Sequence, residues 1–349
     1  MAHFDALLLL SFGGPEGQDD VMPFLRNVTR GRGIPDERLE AVAEHYQHFG
    51  GVSPINAQNR ALIAALEADF AANGIDLPIY WGNRNWRPYV ADAVRHMRDN
   101  KVRRALVFTT SATGSYSACR QYRDDMAKAR LVAGEGAPEL VKLRHYFDHP
   151  GFIAANLQAA QAALDELPPA ERSKARLVFT AHSIPVSMNV SSGPESDRLY
   201  ERQHREAARL VSQLLRGPDA EFDLVWQSRS GPPQVPWLEP DINDHLKALA
   251  GHGVTSVVVC PIGFVSDHLE VRWDLDVEAR QTAQDLGLGY VRAVTAGTHP
   301  GFIRCIRELV LEELNGDAPQ NLGTLGLCGI ECPAHCCPAP KRPAVAPAS

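Results

Sequence analysis

Residues 266–280, SDHLEVRWDLDVEAR, hold the densest chemistry in the chain. Glu270, Asp274 and Glu278 recur at every fourth position, so on a helix of 3.6 residues per turn they share one face. Like charges at that spacing cost a helix roughly 0.2–0.5 kcal/mol per pair. Either water covers this face, or the carboxylates serve cations or protons. As hard oxygen donors they suit a divalent metal. His182, in TAHSIP, closes an apolar run that reads as a buried strand. An imidazole there is either a general base or metal ligand facing a cleft, or a core histidine bonded to backbone. Across a cleft, Glu270 and His182 would offer one oxygen and one nitrogen ligand, or two proton acceptors.

The seven cysteines are unevenly spread. Cys119, Cys260 and Cys305 are scattered, whereas Cys328, Cys332, Cys336 and Cys337 fall within ten residues. In a reducing compartment such a cluster reads as metal-binding before it reads as disulfides. Four thiolates suit an iron–sulfur cluster or a structural zinc, and the C-x3-C-x3-C-C spacing does not choose between them. Cys305 is either a substitute ligand or a core residue. Phe12, Trp86, Tyr116, Tyr122 and Phe264 lie in or near loops that follow apolar runs. They are core packing, or jointly the walls for a flat aromatic ligand. Arg30 and Arg32, in TRGRGIP, suit substrate carboxylates or belong to a basic surface loop. SFGGP at 11–15 lacks the G-x-G-x-x-G spacing, and Pro15 removes an N–H, which argues against a dinucleotide site.

Short apolar runs at 6–10, 78–81, 105–108, 175–180, 223–226 and 256–260 predict buried strands. Helical spacing at 36–50 and 60–74 predicts helices between them. Alternating strands and helices imply parallel sheets flanked by helices. The chain also repeats itself at about half its length. LLLLSFGGP resembles LVFTAHSIP, IYWGNR resembles LVWQSR, and HPGFI occurs verbatim at 149–153 and 299–303. The expected organisation is two similar α/β halves, 1–150 and 151–316, followed by a Cys-rich segment with a disordered Pro- and Ala-rich tail, 317–349. Loops 11–16, 109–122, 181–189 and 260–270 would converge on one cleft, since such sheets bind ligands beyond the carboxyl ends of their strands. A net charge of −7 argues against non-specific nucleic-acid binding. No apolar run approaches the roughly 20 residues of a membrane span, and the N-terminus has no signal-peptide pattern. A cytoplasmic protein without an integral membrane segment is expected.

Six motifs carry a resemblance to a known family: LSFGGP, GGVSPINAQN, SYSACRQYR, FTAHSIP, WQSRSGP and GFVSDHLEVRWDLDVEA. In this order, from about residue 5 to 315, they resemble the ferrochelatases, and AHSIP with SDHLE is a highly specific combination. The resemblance implies two Rossmann-like halves around a porphyrin cleft. It implies metal binding and proton abstraction at His182 and Glu270, with Asp274 and Glu278 as the outer path for iron. It implies porphyrin contacts at Ser53 and Tyr122, with Arg30 a further substrate-binding candidate. Phe12 occupies a loop position that bears a metal-facing tyrosine in some members. The CRQY motif and the tail cysteines resemble the actinobacterial type. That type implies coproporphyrin III and ferrous iron as substrates and a 2Fe–2S cluster. Some such members draw one cluster ligand from mid-chain. With no cysteine between Cys119 and Cys260, the expected ligands here are Cys328, Cys332, Cys336 and Cys337. A monomer is expected. The alternatives are a protoporphyrin ferrochelatase, a chelatase for another metal or tetrapyrrole, and a tetrapyrrole carrier or sensor. The acidic row disfavours the last, because a carrier needs no path for metal.

Overall fold

The computed structural model of the chain describes residues 3–31, 33–231 and 234–340. Arg32 and the tail beyond residue 340 lie outside the described residues. Eight strands form two parallel four-stranded sheets. The first contains β1 (Ala6–Ser11), β2 (Ile79–Asn83), β3 (Arg104–Thr109) and β4 (Glu139–Lys142), in the order β2-β1-β3-β4. The second contains β5 (Arg176–His182), β6 (Asp223–Gln227), β7 (Ser256–Cys260) and β8 (Gly289–Arg292), in the order β6-β5-β7-β8. The two orders are the same, so the internal repeat read from the sequence is a repeat of topology.

β1 and β7 are buried along their whole length, as expected of parallel strands covered by helices on both faces. In each half the strand order reverses about the first strand. The crevice therefore opens at the carboxyl ends of β1 and β5. Phe12 directly follows β1 and His182 ends β5. The HPGFI repeat has a packing role. His149 and His299 each accept a hydrogen bond from the N–H two residues on, at 3.1 and 3.0 Å, opening helices Pro150–Glu166 and Pro300–Asn315. These helices meet glycine on glycine, where a Cβ on Gly151 would stand 2.2 Å from the Gly301 carbonyl oxygen. Phe152 and Phe302 then pack with Phe108 and Tyr146, which joins the halves through one aromatic core.

Two strands escaped the sequence reading. β4 and β8 are short edge strands, and neither has the continuous apolar run of the inner strands. The helix expected from residue 60 starts earlier, as Pro54–Ala72. Pro54 at its first position supplies the fixed φ that suits a helix start. Among the described residues, no helix is long and apolar enough to cross a membrane.

Candidate functional site

His182 sits where the second sheet meets the cleft. Its Nδ1 lies 2.5 Å from the Ser183 carbonyl oxygen. A carbonyl only accepts, so Nδ1 carries the proton and the neutral ring presents the Nε2 lone pair. That Nε2 is 3.9 Å from Glu270 Oε2. Both side chains keep a third or more of their surface open (35% and 44%), so a ligand can reach them from the cleft.

Glu270 arrives from the loop after β7. His268 caps the helix Leu269–Arg272 by accepting from the Val271 N–H at 3.4 Å. The helix then widens into a π-helical stretch, Trp273–Ala279, a form frequent at functional sites. Asp274 follows. Burial pushes its carboxyl up to about 7, and the negative Glu270 and Glu278 push the same way. Donors oppose them: Ser228 Oγ, and Gln227 Nε2 at 3.2 Å, both bond Asp274 Oδ2. Glu270, Asp274 and Glu278 follow one another along this helical line, and both glutamates act on the middle carboxyl. Glu278 ends that line at the surface, accepting from Trp273 Nε1 at 2.8 Å. The Trp273 ring stacks on His45 at 4.0 Å, so helix Asp36–His48 of the first half brackets the outer end of the row.

The remaining candidates form the walls. Phe12 is half-buried and meets Phe24 edge-on at 6.4 Å, in a cluster with Tyr46, Trp86 and Leu269. Ser53 is buried beneath Gly14, where a Cβ would stand 2.6 Å from the serine's own, and its N–H bonds the Pro15 carbonyl. Tyr122 is buried as well, covered by the Arg84 guanidinium. Arg30 is exposed, just past helix Gln18–Val28. The structure thus brings His182 beside Glu270, with Asp274 and Glu278 farther along the same helical stretch. Among the described residues, no hydrogen bond or ion pair ties Phe12, Ser53, Tyr122 or Arg30 to these residues. The sequence reading missed Gln227 and Ser228, although both lie in the WQSRSGP motif. Parallel pairing of β5 with β6 sets Gln227 beside His182.

The cysteines assemble differently from the expectation. Cys119, Cys336 and Cys337 are buried together, with Cys332 packed against them. Cys328, expected in the group, packs instead against the main core at the edge of the same cavity. Cys119 joins because the π-helical segment Tyr116–Arg120 turns it toward the C-terminal segment. The cavity has about 240 Å³ and is lined by all five of these cysteines and His145. The Cys336 and Cys337 sulfurs are 3.6 Å apart. Two sulfurs on one tetrahedral metal with bonds of about 2.3 Å would be roughly 3.8 Å apart. A hydrogen bond from the Cys119 thiol to Cys337, together with burial, pushes Cys119 up to about 11. His145 Nε2 is buried without a hydrogen-bond partner, while Nδ1 meets Gln203 at 3.1 Å. The donor set is sulfur-rich and desolvated, and it fits an iron–sulfur group, since a metal's charge is what would hold such thiols ionised. Among the described residues, no three His, Cys, Asp or Glu side chains stand close enough to hold a single metal ion as they are.

The family profile described as ferrochelatase matches residues 4–314, which spans both halves and stops short of the cysteine segment. The coproporphyrin III ferrochelatase of Nocardia farcinica is 58% identical over 349 residues, covering 98% of this chain and 99% of that protein. The protein of that description from Streptomyces coelicolor is 53% identical, covering 98% and 96%. The one from Mycobacterium sp. strain KMS is 60% identical over 314 residues, covering 90% and 89%. Among solved structures, SirB from Bacillus subtilis with Fe3+ aligns with 89% of this chain and 98% of its own, at a TM-score of 0.50 and 13% identity. That likeness speaks for the fold. With a matched profile over both halves and relatives of this identity along nearly its full length, the chain belongs to the ferrochelatase family.

Proposed function

We propose that the protein inserts ferrous iron into coproporphyrin III, releasing two protons. The observation that carries this reading is the His182–Glu270 pair, with 3.9 Å between Nε2 and Oε2, at the head of a helical stretch that also bears Asp274 and the exposed Glu278. Relatives named for this reaction, at 53–60% identity, support the choice of substrate.

The reaction exchanges two pyrrole N–H bonds for iron–nitrogen bonds. In a flat ring the lone pairs of the two unprotonated nitrogens point inward between the two N–H bonds, where a metal cannot reach them. Distortion in the cleft would expose one, at a strain of about 1–5 kcal/mol drawn from binding. His182 Nε2 accepts a pyrrole proton, with its tautomer fixed by the Ser183 carbonyl. Glu270 takes the second proton or holds the incoming iron. Two protein donors grip a cation weakly. A site that must hand its metal to the four nitrogens of a substrate needs that weakness. Asp274, whose Oδ2 accepts from Ser228 and Gln227, and Glu278 beyond it would form the outward path. Phe12, Ser53, Tyr122 and Arg30 belong to the porphyrin-binding walls and rim in this reading.

The thiol cavity would hold a 2Fe–2S cluster through Cys119, Cys332, Cys336 and Cys337, with Cys328 at its edge. Such a cluster supplies one-electron chemistry or structural bracing. Iron insertion involves no redox change and draws nothing from it. In this reading the enzyme acts in the cytoplasm as a monomer. The test is to record the absorption spectrum of the purified protein and assay Fe2+ insertion into coproporphyrin III and protoporphyrin side by side. Insertion into coproporphyrin III at the higher kcat/KM is expected. Preference for protoporphyrin would overturn the substrate, and porphyrin binding without turnover would overturn the activity.

A further inference from the structure

We propose that Tyr200 is a positioning residue for His182, seated at the end of a strap, residues 191–199, whose other side is anchored on Cys337. The inference rests on the role given to His182 above.

The His182 imidazole is aimed by backbone. Its Nδ1 bonds the adjacent Ser183 carbonyl, with no carboxylate behind it. The ring's aim therefore follows the main chain of residues 182–183. Three bonds pin that segment, one of them from the Ser183 N–H to the Gln227 carbonyl at 2.7 Å. The Tyr200 hydroxyl donates to the His182 carbonyl oxygen at 2.9 Å, and Ser183 Oγ donates to the Leu238 carbonyl at 2.9 Å. Tyr200 is buried and cannot swing away. Its ring stacks with Trp226 at 5.9 Å and meets the edge of His204 at 4.4 Å.

The main chain of Tyr200 is held by the strap. Ser192, fully buried, is the hub. Its Oγ accepts from the Tyr200 N–H at 3.0 Å and donates to the Asn189 carbonyl at 2.6 Å. Its own carbonyl accepts from the Asp197 and Leu199 N–H groups at 3.1 and 3.4 Å. The next residue reaches the thiol cavity, where the Gly193 N–H donates to Cys337 Sγ at 3.3 Å. Gly193 has φ +90°, and a Cβ there would stand 2.7 Å from Asp197 Oδ1 and 2.9 Å from Leu199 Cβ, so the strap closes tightly at this point. Ser196 and Arg198 also adopt left-handed φ, 51° and 63°, which side-chain-bearing residues hold only when their surroundings fix them. Pro194, Asp197 and Leu199 line the cavity itself. Whatever fixes the Cys337 sulfur fixes Gly193, then Ser192, then Tyr200, and so the main chain that carries the His182 imidazole.

The experiment uses the full chain with labelled histidine, the His182 ring resonances being assigned by their loss in His182→Ala. Tyr200→Phe keeps the ring and removes only the hydroxyl. It is expected to shift the His182 ring resonances and to lower kcat for iron insertion about tenfold, in keeping with the sensitivity of catalysis to small misplacements, with KM for porphyrin held within about twofold. Ser192→Ala and Cys337→Ala, neither of which touches His182, should shift the same resonances. An unmoved His182 ring in Tyr200→Phe overturns the positioning role whatever happens to kcat. Movement there but in neither Ser192→Ala nor Cys337→Ala overturns the strap. Should Tyr200→Phe fail to fold, Ser192→Ala carries the test alone. Absence of iron insertion by the unaltered protein would instead defeat the proposed function, and the resonance shifts would still decide this proposal.

Discussion

The Arg84 guanidinium lies 3.8 Å over the ring of Tyr122 and is held there by Asp125, whose Oδ2 is 2.5 Å from Nε. All three side chains are largely withdrawn from water, so they form one buried unit. Removing the cation leaves Asp125 poorly paired and Tyr122 uncovered. Arg84→Ala should destabilise the fold by about 3 kcal/mol, from loss of the buried pair and the cation–π contact together. Tyr122→Phe should cost no more than about 1 kcal/mol, the worth of one hydrogen bond. Urea unfolding of the two variants checks this. Equal losses would mean that the guanidinium contributes no more than the tyrosine hydroxyl.

The free lone pair on His182 Nε2 makes a direct prediction. His182→Ala should lower kcat for iron insertion by about 10²–10⁴, the usual weight of a general base, while porphyrin still binds with little change in Kd. Absorbance titration with coproporphyrin III measures the binding, and stopped-flow measures the insertion. A variant that turns over normally would remove the imidazole from the reaction.

What the sequence made legible follows from which interactions are local. Glu270, Asp274 and Glu278 are set by spacing on one element, and His182 by the end of one apolar run, so pattern alone found them. Gln227 and Ser228 serve Asp274 only because β6 pairs beside β5 and the π-helical segment passes over both. No local pattern marks such a tertiary partner. β4 and β8 escaped because an edge strand need not be apolar along its length. Cys119 looked solitary because more than half the chain separates it from the thiols it meets, and loop closure across that distance leaves no trace in spacing. Ser53 and Tyr122 were found as motif positions, but their burial beneath Gly14 and Arg84 belongs to packing.

Cys119 also separates two readings of the thiol site. If the cluster took only the four tail cysteines, Cys119→Ser would leave its visible absorption intact. Because Cys119 is buried against Cys336 and Cys337, the expected result is loss of that absorption and of bound iron and sulfide in Cys119→Ser and Cys336→Ser alike. Cys305→Ser should leave both unchanged, since its thiol lies in the main core among Phe302 and Ile306. Retained absorption in Cys119→Ser would return the ligand set to the tail.

Acid stability should turn on Asp223, at the start of β6. Burial alone would raise its carboxyl, but Arg176 and His245 outweigh burial and bring it down to about 2. Arg176 contributes two bonds, Nε to Oδ2 at 2.7 Å and Nη2 to Oδ1 at 2.9 Å, and His245 Nε2 lies 3.0 Å from Oδ2. An unfolded chain would protonate this aspartate near pH 3.9. The folded state therefore binds fewer protons across the interval between the two values. The stabilisation is present in full above about pH 4 and is lost as pH falls through about 2. At about 1.4 kcal/mol per unit, the shift amounts to about 2 kcal/mol at neutral pH. Asp223→Asn should accordingly be less stable than the unaltered protein by about that amount at pH 7, and the gap should close as pH approaches 2. Other carboxylates titrate in the same range, so the readout is the difference between the two proteins in urea unfolding at pH 7, 4 and 2.5. A gap that stays constant across those three values would mean that Asp223 contributes packing and hydrogen bonds alone, with no charge held against protonation by Arg176.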